Sequence, residues 1–292
     1  MDLSRRGERV GVDMEDWFSE DLLPDQRRLR PVQFLGELEG HLLRQGTGAT
    51  CPSQAMSVAL GRAYGCPPPV VVYNAFPWSD RETLDGAVKD RRDRTIPSVH
   101  WYSQTLGPGR GLEDLFASLR HVEAAAEIHL RGRPAAGFER WLDSLITAAW
   151  RPRVFVHGLV SNEELLSRIA EHDIGFAGEM TFCRSRELTI TNKILQYLLG
   201  GLAVIASDTL GQREVAAQAP DAVLLYPSGD APALAGRLNK LLSSPAEMSR
   251  TKAAALRAAE DVFCWERQEP ALLGNARRAV GARLEKAQKG KV

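Results

Sequence analysis

Two stretches of this chain combine residue types that bind anions. The first is Gln104-Thr105-Leu106-Gly107-Pro108-Gly109-Arg110-Gly111, between the apolar run SVHWYS and a helical pattern starting at Leu112. Gly107, Gly109 and Gly111 let the backbone approach a ligand closely. The helix start adds free N–H groups and the positive end of its dipole. Arg110 contributes a planar guanidinium suited to phosphate. The second stretch, Thr189 to Tyr197, reads TITNKILQY. Thr191 or Asn192 can cap the helix that follows. Lys193 falls in its first turn, where the dipole disfavours a cation. An anionic ligand at that end would reverse the penalty, so the local conflict points to binding.

Elements that could position these residues follow from the apolar rhythm. Runs recur at 98–102, 127–130, 153–156, 173–177, 202–206 and 222–226. Helical stretches lie between and after them, at 111–125, 138–149, 162–171, 191–199, 211–218 and 231–243. Such alternation predicts βαβ units, a parallel sheet covered on both faces, and a doubly wound α/β fold. Ligands bind such sheets at the carboxyl ends of the strands. His157 ends one strand there, and Asp208–Gln212 forms another carboxyl-end loop. Upstream, Val10–Met14 and Val70–Tyr73 read as short strands, with helices over 31–46 and from Ser53 to Tyr64. The charge run KDRRDR (Lys89–Arg94) reads as a solvated linker. Tyr102, Trp101 and Trp265 read as packing residues. With a boundary between 75 and 95, the segments are 1–80, 81–264 and a C-terminal helix at 265–292.

The 292 residues hold 37 basic and 37 acidic side chains, for zero net charge. That argues against a nucleic-acid binder, which needs a net basic face. Cys51, Cys66, Cys183 and Cys264 form no C-x-x-C pair, so they read as reduced thiols of a cytoplasmic chain, with no metal site. No apolar run approaches the ~20 residues of a membrane span, and the N-terminus lacks a signal-peptide core. The basic tail from Lys286 to Lys291 reads as a frayed solvated end, peripheral membrane contact being its other reading.

The segments GPGRGLEDL, VFVHGLVSNEEL, TNKILQYLLGGLAVIASDTLGQREV and FCWERQ resemble the donor-binding domain of GT-B-fold glycosyltransferases of the family-four, or group 1, type. DMEDWFSEDL, TCPSQAMSVALGRAYG and VVVYNAFP resemble the second half of that family's acceptor domain and its hinge. The resemblance implies a C-terminal Rossmann-like domain with an incomplete N-terminal one. It also implies a nucleotide-sugar co-substrate, an unknown acceptor and no cofactor. Arg110 stands where the family has a basic residue on the nucleotide diphosphate, and Thr105 replaces an arginine common five positions earlier. Gln196 occupies the place of a glutamate that holds the ribose hydroxyls. Glu179 and Glu187 match the family's E-x7-E spacing. In register with the helix, however, that motif falls on Leu188 and Gln196. Glu179 still follows the strand IGFAG, where the donor-sugar pocket is expected, and His157 could line the nucleotide pocket.

Glycosyl transfer builds negative charge on the leaving phosphate, which pre-placed cations and dipoles stabilise. Arg110, Lys193 and two helix starts could do this without a divalent metal, in keeping with the lack of an Asp-x-Asp signature in the donor region. The partial first domain predicts a truncated chain, a partner that completes it, or oligomerisation through uncovered edges. Three readings stay open: a nucleotide-sugar-dependent glycosyltransferase, a non-catalytic nucleotide-sugar-binding remnant, and a sugar-nucleotide epimerase on the same fold.

Overall fold

A computed structural model describes residues 6–21 and 24–289. Residues 1–5, 22–23 and 290–292, the last including the end of the basic tail, lie outside them, as do the side chains of Pro24 and of 282–289. The chain divides into two compact units, Met1–Asn74 with Thr181–Ile190 and Trp265–Val292, and Ala75–Met180 with Thr191–Cys264.

In the first unit, β1 (Gly11–Asp13), α1 (Val32–Gln45), β2 (Gly48–Cys51), α2 (Gln54–Tyr64) and β3 (Val70–Val71) build a parallel sheet in the order β1-β2-β3. The apolar spacing of α1 turns Leu43 onto a core of Met14, Trp17, Met56, Leu60 and Leu188. Ser53 caps α2 by accepting the Met56 N–H at 3.0 Å, and its hydroxyl donates to the Leu188 carbonyl at 2.6 Å. The cap therefore also anchors the short helix Arg184–Leu188.

The second unit alternates β4 (Ser98–Leu106), α3 (Leu112–Ser118), β5 (Glu127–Pro134), α4 (Phe138–Leu145), β6 (Val154–His157), α5 (Asn162–Ala170) and β7 (Ile174–Ala177). After Thr191 come α6 (Asn192–Gly200), β8 (Ala203–Ser207), α7 (Leu210–Gln218), β9 (Val223–Tyr226), α8 (Ala231–Leu242) and α9 (Pro245–Asp261). In the first unit, α10 (Trp265–Lys289) packs beside β2 and β3; its Gln268 accepts the Tyr73 N–H.

The six strands of the second unit are all parallel, in the order β6-β5-β4-β7-β8-β9. Their interiors are apolar because helices cover both faces: β7 and β8 are buried along their whole length. Gly201, at φ +76°, ends α6, and its N–H bonds back to Tyr197 and Leu198 carbonyls. From β4 the chain moves outward through β5 and β6, then returns to the other side of β4 with β7. The reversal between β4 and β7 opens a crevice at their carboxyl ends, where ligands bind in sheets of this kind.

The charge run Lys89–Arg94 is solvated at Lys89 and Arg92–Arg94, but its middle is drawn in. Asp90 is buried and pairs with Arg131, and Arg91 pairs with Asp173 at 3.1 Å. Asp90 and Arg92 N–H groups bond to Glu171 and Glu127. Carboxylates from β5 and from the connection between α5 and β7 draw the middle of this run in, which its own composition cannot reveal.

Candidate active site

The glycine loop after β4 meets the end of β7. Gly111 takes φ +84°, and a Cβ there would stand 2.5 Å from the Gly178 carbonyl. That approach sets the two loops of the crevice edge to edge. Gly111→Ala therefore combines left-handed strain with a clash against backbone, and is expected to lower stability by ~2 kcal/mol or more. Urea unfolding measures it; an unchanged midpoint would show that the loops separate freely.

The loop is less open to an anion than its composition suggests. Gly109 also has positive φ, but its N–H donates to Glu113 at 2.6 Å. Asp114, also in the first turn of α3, accepts from Tyr226 Oη and the Gly229 N–H. Two carboxylates already meet this helix start, so positive potential rests on Arg110. Its exposed guanidinium reaches back to Ser103 Oγ at 3.3 Å. Gly107 is buried at the start of the loop.

Lys193 and Glu179 come together. Lys193 Nζ lies 2.9 Å from Glu179 Oε1, and their side chains are only 14% and 7% exposed. Neither is a surface charge. Glu179 is fixed through its backbone: its N–H donates to Ser207 Oγ at 2.8 Å, and its carbonyl accepts from Ser228 Oγ. Gln212 Nε2 holds Ser207 from the other side. The ends of β7 and β8 thus aim a carboxylate at the first turn of α6. That turn contains no acidic residue of its own, and Lys193 also stands over the Trp101 ring. Thr191 occupies the cap position without a side-chain capping bond; its buried hydroxyl has no hydrogen-bond partner among the described residues.

A cavity of about 640 Å³ opens beside these groups. Asn192 and Gln196 of α6 face it, as do Tyr102 and Arg131 of the sheet and Leu159 and Val160 after β6. Tyr102 Oη donates to Gln196 Oε1, so Tyr102 is a wall residue of the cavity as well as a packing residue. Arg110, Lys193, Glu179, Thr191 and the three loop glycines are not among its lining residues.

His157 belongs to a different group. Its Nε2 is 3.0 Å from His129 Nδ1, and its Nδ1 is 3.4 Å from Asp90. His129 Nε2 reaches Glu127 at 3.1 Å, and His172 stacks with both His129 and His100. Burial lowers all four imidazoles, that of His129 to about 2. Burial opposes ionisation of Asp90, but His172 and Arg131 beside it outweigh that and hold it well below the usual carboxylate range. Single strands conceal this cluster. Pairing reveals it, because the register puts His100 beside His129, Tyr102 beside Arg131, and Arg131 beside His157.

Residues 101–244 match the family model of group 1 glycosyl transferases. The matched stretch, just under half of the chain, contains the glycine loop, the Thr189–Tyr197 segment and most of the residues that line the cavity. The parallel-sheet fold matches that of solved GT-B glycosyltransferases. HepE from Anabaena, solved in complex with UDP, aligns over 94% of this chain and 74% of its own, with a TM-score of 0.69 and 19% identity. Sucrose-phosphate synthase from Thermosynechococcus elongatus aligns over 86% and 62%, with a TM-score of 0.68 and 18% identity. TarM from S. aureus aligns over 91% and 50%, with a TM-score of 0.68 and 10% identity. The chain spans about half the length of TarM. No curated protein matches it in sequence.

Proposed function

We propose that the protein transfers a sugar from a nucleoside-diphosphate sugar to an acceptor, and that its own side chains stabilise the leaving diphosphate. The observation that carries this reading is the buried Lys193–Glu179 pair beside the β4/β7 crevice. Breaking the anomeric C–O bond leaves electrons on the diphosphate and positive character on the sugar ring. Lys193 turns from Glu179 to the β-phosphate, with the α6 N–H groups and Arg110 adding to the positive field. This work needs no divalent ion. Glu179, released from its cation, is left with acceptor oxygens for sugar hydroxyls. Gln196 and Asn192 supply polar contacts for the nucleoside in the adjoining cavity. HepE is solved with UDP-glucose, and that supports uridine as the base. The free thiols of all four cysteines suit a reducing, cytoplasmic setting. Among the described residues, no helix is long and apolar enough to cross a membrane.

The test is a panel of UDP-, GDP- and ADP-sugars without acceptor. Slow release of the nucleoside diphosphate and binding of UDP by calorimetry are the expected results. Absence of binding by every nucleoside diphosphate overturns the reading. Release of a free 2-epimer assigns the site to epimerisation instead.

A further inference from the structure

Arg131 is a buried guanidinium in the cavity wall with no place in the transfer step. The residue is 4% exposed. Its Nη2 pairs with Asp90, its Nη1 donates to the Gly158 carbonyl at 2.6 Å, and its Nε is buried without a partner among the described residues. Asp90 is itself held from behind, its N–H donating to Glu171 Oε2 at 2.9 Å. One carboxylate neutralises one guanidinium out of reach of bulk water, so Arg131 offers no net charge to a diphosphate. What its charge does is fix a carbonyl.

That carbonyl opens the loop Gly158–Val160, which has no regular secondary structure. Leu159 and Val160 of this loop line the cavity, with Tyr102 and the α5 residues Leu165 and Leu166 among the other walls. Leu159 is half-exposed, and open space surrounds the position of a Cβ on Gly158. Packing alone therefore does not define where the loop stands. The Asp90–Arg131–Gly158 chain runs from a buried residue, through the middle of β5 where it pairs with the end of β6, to the first residue of the wall. A wall of leucine, valine and a tyrosine ring, edged by amides, suits a flat heteroaromatic ring.

We infer that Arg131 is a positioning residue for the nucleobase: clamped by Asp90, it sets the Gly158–Val160 wall against which the base of the donor lies. The inference rests on the nucleotide-sugar reading above and names the part of the ligand that this wall recognises. It separates two contributions within one ligand. Arg110 and Lys193 act on the diphosphate, whereas Arg131 acts through the loop on the base.

The experiment titrates UDP and inorganic pyrophosphate into wild type, Arg131→Met, Arg131→Lys and the double variant Arg131→Met/Asp90→Asn, with thermal melting of each. Arg131→Met alone leaves Asp90 buried without its partner, so the double variant, which removes both charges, is the decisive one. It is expected to melt near wild type, to bind UDP at least tenfold more weakly, and to bind pyrophosphate within twofold of wild type. Arg131→Lys, which keeps the charge without the fork, is expected to fall between. Unchanged UDP affinity in a folded double variant overturns the inference, as does an equal loss for UDP and pyrophosphate. Should the double variant not fold, Arg131→Lys decides by the same comparison of the two ligands. Failure of wild type to bind any nucleoside diphosphate instead removes the functional reading itself, and this inference with it.

Discussion

Lys193→Met is expected to lower kcat/KM for the nucleotide-sugar donor by about 10²–10³-fold, the loss typical of removing one preorganised donor from a site of developing charge. Lys193 is mostly buried, stands in the first turn of a nine-residue helix, and has Glu179 as its ion-pair partner. Removing it alone takes the ion-pair partner from a buried carboxylate, at ~3–5 kcal/mol of stability. A single variant would therefore confuse unfolding with lost chemistry. Lys193→Met/Glu179→Gln resolves this, because replacing both members of a buried pair is often near neutral for stability. The double variant should regain most of the melting temperature and none of the donor turnover. Recovery of turnover together with stability would make Lys193 no more than the structural counter-ion of Glu179.

The second large effect is acid sensitivity. His100, His129, His157 and His172 lie together, facing Asp90, Glu127 and Glu171 among the carboxylates and Arg91, Arg92 and Arg131 among the cations. Their folded-state pKa values are lowered, chiefly by burial, whereas an unfolded imidazole titrates near ~6.5. The unfolded chain thus binds more protons below that pH, and stability falls as pH drops from about 6.5 toward the folded values. For His129, lowered to about 2, the loss at pH 5 is ~2 kcal/mol. Several such groups together amount to a large part of an ordinary domain's ~5–15 kcal/mol. The melting temperature should drop steeply between pH 7 and pH 5, before carboxylates titrate. His100→Phe tests the cause: both ring nitrogens of His100 are buried without partners among the described residues, while its ring stacks on His172 and Tyr102. An apolar ring should keep the stacking and flatten the slope. A melting temperature flat across this range would mean that these imidazoles reach water.

The strands of the second unit were legible because burial on both faces demands continuous apolar runs, and each βα turn carries its own caps and glycines. Gly48–Cys51 was not legible as a strand: GATC lacks a branched or aromatic alternation and gains its pairing only from β1 and β3. Lys193 stood out because its charge contradicts its helix position. Its partner Glu179, fourteen residues earlier, is set by Ser207 at the end of β8 and Ser228 in the loop after β9, which no local pattern encodes. Arg131 and Asp90 escaped for the same reason. A charged run usually means a wet surface, and only the fold shows that Asp90 and Arg91 within this one are drawn inside. The glycine loop was read as a close approach of backbone to a ligand; the approach visible in the fold is that of Gly111 to Gly178, and Glu113 takes the Gly109 N–H.

The line Glu127–His129–His157–Asp90 contains three junctions. Glu127 already accepts the Arg92 and Asp93 N–H groups, so the hydrogen at its junction with His129 sits on Nε2 of the ring. His129 Nδ1 is then bare and takes its hydrogen from His157 Nε2. Two neutral rings carry two hydrogens, and both are now used. His157 Nδ1 consequently turns a lone pair toward Asp90, at the longest of the three separations, 3.4 Å. One added proton would complete the relay, and the same proton would set imidazolium against guanidinium for a single carboxylate, the one that steers Arg131.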